Sequence, residues 1–477
     1  MKRMVFVAMA ACTCSGFPMP GWTVQGAGAN AQKLVSSAAD REDVAVTVYN
    51  DDLALIKERR RLALPAGATR VDLRDVAARL RPETALLRSL DAAPLHLLEQ
   101  NFDFDLLTPQ NLLDKAVGHE VTFVWPAMQG VEERRERATV LSHNQGLVLR
   151  FADRVETDPP GRVLFDGVPP ELRDHPTLSV LLEGEGGKRG LELSYLSSGM
   201  SWKADYVANL ATSTLDLDGW ITVTNRSGTG FENASLQFVA GNVHQSRVGG
   251  RAVPAAPAAL MQTKITEEMP REEALLDYHL YSYDRRTTIA NEQTKELALL
   301  SAASVPFHRE YVLQGVDWWY RNPNSDGAQK LKPSVILVFE NKGASLSKPL
   351  PAGVVRVYAH DGKGAAQFVG EDRIDHTAKD ETVHLNIGQA FDVTAERSQT
   401  DFRRVAKNIV ESSWRVALRN AKEEAVTVSV REPISGDWEI LQESDKHAKE
   451  SAHEARWSIA VPPGAEKVLT YSVRVTY

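Results

Sequence analysis

From Val44 onward the apolar residues of this chain return at every second position, in short runs cut by turn residues. That spacing is the signature of strands with one buried face, and it dictates a β-protein. Val44, Val46 and Val48 alternate with Ala45, Thr47 and Tyr49. Asn50, Asp51 and Asp52 then supply turn chemistry before a second strand begins at Leu53. At the far end, after the turn at Pro462, Pro463 and Gly464, residues Leu469, Tyr471, Val473, Val475 and Tyr477 alternate with Thr470, Ser472, Arg474 and Thr476.

The second half repeats one arrangement three times: an apolar strand runs into an asparagine, a polar turn follows, and a new strand starts. The three asparagines are Asn225, Asn341 and Asn420. Asparagine tolerates left-handed backbone and bonds its own turn, so it closes hairpins well. Short strands at this spacing predict sandwiches. The expected fold is therefore mainly β: two or three antiparallel β-sandwich-like units with few short helices. One helix is expected after Thr108, an N-cap residue followed by Pro109, with Leu112, Leu113 and Ala116 on one face and Gly118 just past the end. A brief helix is also allowed around 271–277. The glycine-rich stretch 184–190 reads as a hairpin turn, and the mixed charges at 132–137 read as a solvated loop or hairpin tip.

Composition narrows the function classes. A chain of 477 residues that is 43% hydrophobic and 25% charged has ample material for a core. Its net charge of -8 lacks the basic footprint of nucleic-acid binding. The only cysteines are Cys12 and Cys14, which leaves no disulfide framework, thiolate catalysis or Cys-ligated zinc beyond them. Met1-Lys2-Arg3 precedes a short apolar run, the layout of a secretory signal and far shorter than the about 20 residues of a membrane-spanning helix. No transmembrane span is expected elsewhere. Two processing routes are open: cleavage after Ala29-Asn30-Ala31, or lipid attachment at Cys12 behind Ala10-Ala11. The expected layout is a signal peptide over 1–31, a linker over 32–43, an N-terminal β domain over 44–190, and C-terminal β-sandwich domains over 191–477 with a flexible insertion at 248–275.

Several stretches carry a resemblance to a known family. They include Ser198-Gly199-Met200-Ser201-Trp202-Lys203-Ala204-Asp205-Tyr206 and Gly388-Gln389-Ala390-Phe391-Asp392-Val393. Residues 46–55, 99–102, 236–241, 278–281, 350–358, 374–377 and 437–440 add to these in order along the chain. They resemble the bacterial Domain of Unknown Function 4139 family, with the named domain starting near Leu191. A more distant branch is the mucoidy inhibitor A family. The resemblance implies an exported β-rich protein, and it brings no reaction, cofactor or catalytic residues.

Catalytic templates such as the Gly-x-Ser-x-Gly elbow, His-Glu-x-x-His and the phosphate loop do not occur. Four groups of residues merit tracking. Trp318, Trp319 and Tyr320, read as a strand, put Trp318 and Tyr320 on one face, where they either stack on a glycan or partner or pack in a core. His360-Asp361 and Asp375-His376 converge on acid–base work or metal binding if their strands pair suitably, or else serve as turn and strand-end residues. Asp103/Asp105 and Asp216/Asp218 are short of the ligands calcium needs and read as solvent-facing. His279, among alternating aromatics, reads as a packed residue. The expectation is an exported, periplasmic or secreted envelope protein acting as a non-catalytic binding or structural module, without cofactor or metal. Its partner would be an envelope protein or polysaccharide. The competing expectation is an envelope hydrolase with a site near His376.

Overall fold

A computed structural model describes residues 32–477 apart from 104, 127–132, 242, 244–268, 325–326 and 344–345. The expected signal segment, Cys12 and most of the 248–275 insertion lie outside the described residues. The chain is mainly β, built of several mostly antiparallel sheets, with one α-helix among the described residues. None of its described helices is long and apolar enough to cross a membrane.

Two compact units emerge. The first comprises the described residues of 32–40, 61–74 and 89–190; the second comprises those of 41–60, 75–88 and 191–477. In the first, Gly67–Arg74 is flanked by Gln32–Ser36 and Thr177–Gly184 in one sheet, and Glu120–Trp125 anchors a second, five-stranded sheet. The expected linker thus contains a strand. Gln32–Ser36 pairs in parallel with residues 69–73. It is an edge strand held by backbone bonds, and its mostly exposed side chains carry no alternation to read. The helix Pro109–Ala116 forms as expected, with the Thr108 hydroxyl accepting from Asn111 N–H at 3.1 Å. Gly118 beyond it takes φ +83°. The glycine stretch at 184–190 closes no hairpin, because Thr177–Gly184 and Gly187–Ser197 belong to different sheets.

The second unit contains three sheets. One of them draws in the early hairpin: Arg41–Tyr49 lies in parallel beside Phe231–Ala240 and antiparallel to Ala54–Leu64. Val46, Val48, Leu53 and Ile56 are buried there. Arg41 and Arg60 both pair with the buried Glu58, at 2.6 and 2.9 Å. The same sheet ends in Arg271–Leu275 beside Tyr278–Ser282, so the segment expected to allow a helix is a strand. Its backbone is claimed by the sheet edge, which local composition does not reveal.

The second sheet is organised by one 22-residue strand, Gln293–Gln314. Its first part pairs with Thr214–Asn225, residues 307–312 pair with Ser334–Glu340, and residues 311–314 run parallel to Val426–Pro433. A bulge lets it change partners. The register slips opposite Leu215–Leu217, Ser304 takes φ +56°, and its N–H donates to the Asp216 carboxylate at 2.8 Å. Seven strands then curve round in the order Thr382–Gln389, Ser334–Glu340, Gln293–Gln314, Thr214–Asn225, Met200–Leu210, Gly353–His360 and Ala366–Ile374. The two ends of this run come together without a ladder. Asn386 N–H donates to Asp372 at 2.7 Å, and a side chain at Gly370 would sit 2.4 Å from the Ile387 carbonyl. The curved sheet is almost a barrel but stays open.

The third sheet carries Val393–Ala406, Ile409–Asn420 and Glu466–Thr476 and shares a core with Val426–Pro433 and Glu454–Val461. Trp414, Val416, Leu469 and Tyr471 meet Val428, Trp457 and Ile459 there. The C-terminal strand alternates as its sequence predicts.

All three asparagines are buried turn clamps. Asn225 donates to the carbonyls of Thr229 and Ala290, Asn341 to those of Lys348 and Ala378, and Asn420 to those of Glu424, Val461 and Pro462. Each ties its own turn to a loop distant in sequence. A buried carbonyl left unpaired is costly, which is why the turn keeps an amide there.

Candidate functional site

The tracked residues disperse. Trp318, Trp319 and Tyr320 form a 3-10 turn over Asp317–Tyr320 instead of a strand, so Trp318 and Tyr320 do not share a face. Trp318 is 55% exposed, while its two neighbours are buried. Trp319 and Trp414 lie on the Arg397 guanidinium, 4.0 and 4.4 Å from their ring centroids. Arg397 binds Glu432 through two hydrogen bonds of 2.6 and 2.9 Å, and the Tyr320 hydroxyl donates to Glu432 at 2.7 Å. This buried cluster leaves no room for a side chain at Gly315, whose Cβ would fall 2.0 Å from Glu432 Oε2. It is a core keystone, closed to solvent.

The histidine–aspartate pairs do not converge. In the hairpin Gly353–His360/Ala366–Ile374, His360 pairs with Ala366 at one end and Gly353 with Ile374 at the other. Seven residues of strand separate the ends by about 23 Å. Asp361 caps its turn, accepting from the N–H groups of Lys363 and Ala365, both at 2.9 Å. His376 Nδ1 accepts from Ala352 N–H at 3.2 Å, and burial lowers its pKa below the usual histidine value. His279 is half-exposed rather than packed, its ring pairing with Glu272 at 2.8 Å. The paired aspartates are also engaged: Asp103 with Arg173, Asp105 with Lys115, Asp216 with Ser304, and Asp218 with Ser301. Among the described residues no cluster of three or more His, Cys, Asp or Glu groups is suited to a metal ion.

A different place stands out. At one end of the curved sheet lies an open cleft of about 740 Å³, within the range of small-molecule sites. Cross-strand pairing builds one wall: Arg309 sits opposite Leu337, and Tyr311 opposite Val335. Residues directly opposite share a face, so a cation stands over aliphatic groups. Among the described residues no ion pair forms to Arg309. Its chain neighbour Glu310 is 4.0 Å from Arg431. Val369 and Ile387, from the two strands that fail to close, line the same cleft.

Lys422 completes it. The turn held by Asn420 presents this lysine: Lys422 N–H donates to Asn420 Oδ1 at 3.0 Å, and the neighbouring Ala421 N–H donates to the Asp392 carbonyl at 2.8 Å. The ammonium stands 5.5 Å from the Tyr311 ring centroid. The Tyr311 hydroxyl beside it holds the lysine pKa above its usual value, with the Arg309 charge opposing. Phe391 stands at the rim, 83% exposed, with the Lys332 ammonium 5.2 Å from its ring. Asp216 lines the cleft but is bound to the bulge, and Asp392 and His360 lie at the margin. The arrangement offers apolar walls beneath two neighbouring cations.

Sequence reasoning missed Arg309, Tyr311 and Lys422. The only available signals were the alternation that puts Arg309 and Tyr311 on one face, and the position of Lys422 two residues past a clamp asparagine. Phe391 lay within a stretch noted for its family resemblance, without a role.

No curated protein matches this chain. A family model described as Domain of unknown function (DUF4139) matches residues 191–477, a span that takes in the curved sheet, the cleft and the C-terminal sandwich. The chain belongs to the DUF4139 family.

Proposed function

We propose that this protein is an exported, non-catalytic binding module of the cell envelope, periplasmic or secreted, and that the cleft is its ligand seat. Export is supported by the basic start and short apolar run at the N-terminus. The binding role rests on one observation, the pairing of Arg309 and Lys422 over an apolar floor at the open end of the curved sheet. Concave, mostly apolar seats with a few placed polar groups are where small ligands bind, and the mouths of curved β-sheets are a common location.

The test has two arms. Mass spectrometry of the protein recovered from fractionated cells reads its N-terminus. A start at Gln32 fits cleavage, a diacylated Cys12 fits a tethered form, and an intact Met1 in the cytoplasm overturns export. Native mass spectrometry after incubation with total envelope extract reads binding. A one-to-one adduct on the wild type is expected, lost in Phe391→Asp and kept in Trp318→Ala. An adduct that follows Trp318 instead would move the seat to the exposed tryptophan, and no adduct would end the binding proposal.

A further inference from the structure

We infer that the cleft takes an anionic amphiphile, a molecule with a carboxylate or similar acidic head and an extended apolar body. The inference rests on the reading of the cleft as a ligand seat and goes further by naming the ligand class.

Two cations on one wall demand an explanation. Arg309 and Lys422 flank Tyr311, and the charge of Arg309 acts against that of Lys422. Like charges held near each other repel. Lys422 has limited freedom to swing away, because its backbone is pinned by Asn420 and its carbonyl accepts from Gly464 N–H at 3.2 Å. Its one carboxylate partner among the described residues, Glu424, is 3.6 Å away and largely exposed, so that pair is weak. Arg309 forms no ion pair among the described residues. An anion seated between the two relieves their repulsion and accepts hydrogen bonds from both. A guanidinium suits a carboxylate because it donates two parallel bonds.

The body of the ligand follows from the surroundings. Beneath the cations the wall is Val335 and Leu337, and Val369 and Ile387 face the same space. A bare inorganic anion would leave the accessible ones, Val335, Val369 and Ile387, wet. A neutral sugar would leave Arg309 without an ionic partner and Lys422 with only its weak pair to Glu424. Phe391 at the rim, almost wholly exposed, presents an apolar ring for a chain leaving the cleft to lie against. The acids of the lining do not cancel the head-group site: Asp216 is committed to Ser304 N–H, and Asp392 is at the exposed margin.

The experiment uses three probes with one alkyl chain: dodecanoate, dodecanol and dodecyltrimethylammonium, each below its micellar concentration. Binding to the purified full chain is measured by calorimetry. Dodecanoate is expected to bind one-to-one and about tenfold or more tighter than the alcohol, the worth of a charge-assisted hydrogen bond, while the cationic probe fails to bind. The double variant Arg309→Gln/Lys422→Gln should erase the preference for the acid while its melting temperature stays near that of the wild type. Both residues are exposed or half-exposed, so that variant is expected to fold. Phe391→Asp should weaken acid and alcohol alike. Equal binding of acid and alcohol, lost in Phe391→Asp, would overturn the anionic head and leave the cleft as a seat. A preference for dodecanoate that survives in the double variant would overturn the assignment to these cations. If no probe binds while an envelope-extract adduct still depends on Phe391, the amphiphile is wrong and the binding module stands.

Discussion

Deleting everything before Leu191 should leave a protein that does not fold, although the family match begins there. The reason is the early hairpin. Residues 41–60 belong to the second compact unit, and Arg41–Tyr49 is the parallel partner of Phe231–Ala240. Five large aliphatic residues of this hairpin, Val44, Val46, Val48, Leu53 and Ile56, are each at most 3% exposed. At about 1.5–3 kcal/mol for each side chain fully buried, their removal costs about 7–15 kcal/mol. That figure is an upper estimate because unfolded chains already bury some surface. It still matches the whole stability of an ordinary domain, about 5–15 kcal/mol. The loss also strips residues 235–239 of a strand partner and exposes a hydrophobic edge. The check is to purify residues 191–477 and 32–477 side by side and compare near-ultraviolet circular dichroism and thermal melting. The shorter chain should aggregate, or melt without cooperativity. A monomeric, cooperative 191–477 melting within about 2 °C of the longer chain would refute the reasoning, since about 1 kcal/mol already shifts a domain of this size by that much.

Three further outcomes follow from named groups. Arg397→Met should destabilise by about 3–5 kcal/mol in urea titration, because it leaves Glu432 buried without its partner; Arg397→Met with Glu432→Gln should recover part of that loss. If the single variant costs under about 1 kcal/mol, the cluster is not the keystone described. Asn420→Ala should cost about 1–3 kcal/mol by orphaning turn carbonyls, and should weaken dodecanoate more than dodecanol, because Lys422 loses its support. Asp205 has its pKa lowered: burial alone would raise it, but the Thr222 hydroxyl, Lys203 and Arg356 outweigh that. Its contribution to stability is therefore full above the unfolded value, about 3.9, and fades as pH falls through the lower folded value. Melting temperatures between pH 2 and 6 should drop more steeply on the acid side for the wild type than for Asp205→Asn. Parallel curves would refute the assignment.

What could be read beforehand divides along the range of the interactions. Period-two alternation reports one buried face, so the C-terminal strand and the hairpin at Val44 were legible from spacing alone. The helix at Pro109 was legible because its caps are local. Gln32–Ser36 was not, since an edge strand is set by its backbone partners and most of its side chains are exposed. Partner choice was invisible for the same reason: nothing in residues 41–60 says that their neighbour lies near residue 235. The aromatic run at Trp318 misled in an instructive way. Alternating aromatics suit a strand, but Tyr320 is drawn inward by Glu432 and Tyr471, and Trp319 by Arg397, partners 78 to 151 residues away that convert the segment into a turn. The cleft was illegible because its cations come from a strand and a turn more than a hundred residues apart.

The three clamp asparagines show how such a site arises from ordinary fold chemistry. Each closes a turn by donating to two or three carbonyls, and each is buried because the turn folds over it. The residue two places on differs. After Asn225 it is Ser227, whose hydroxyl donates back to the asparagine at 2.7 Å and is consumed locally. After Asn341 it is Gly343, which takes φ +99° and has no side chain to offer. After Asn420 it is Lys422, whose backbone N–H satisfies the same asparagine oxygen while its long side chain reaches Tyr311. The clamp is needed for stability in all three cases, but in the third it also fixes the origin of a cation. Asp216 is comparable: its carboxylate is required by the bulge at Ser304, and that bulge lets one strand carry Arg309 and Tyr311 into the cleft wall. Ligand preference and fold stability therefore share residues at Asn420 and Asp216 and separate at Arg309 and Lys422. For that reason the latter pair, and not the clamps, is the place to change binding while leaving the fold intact.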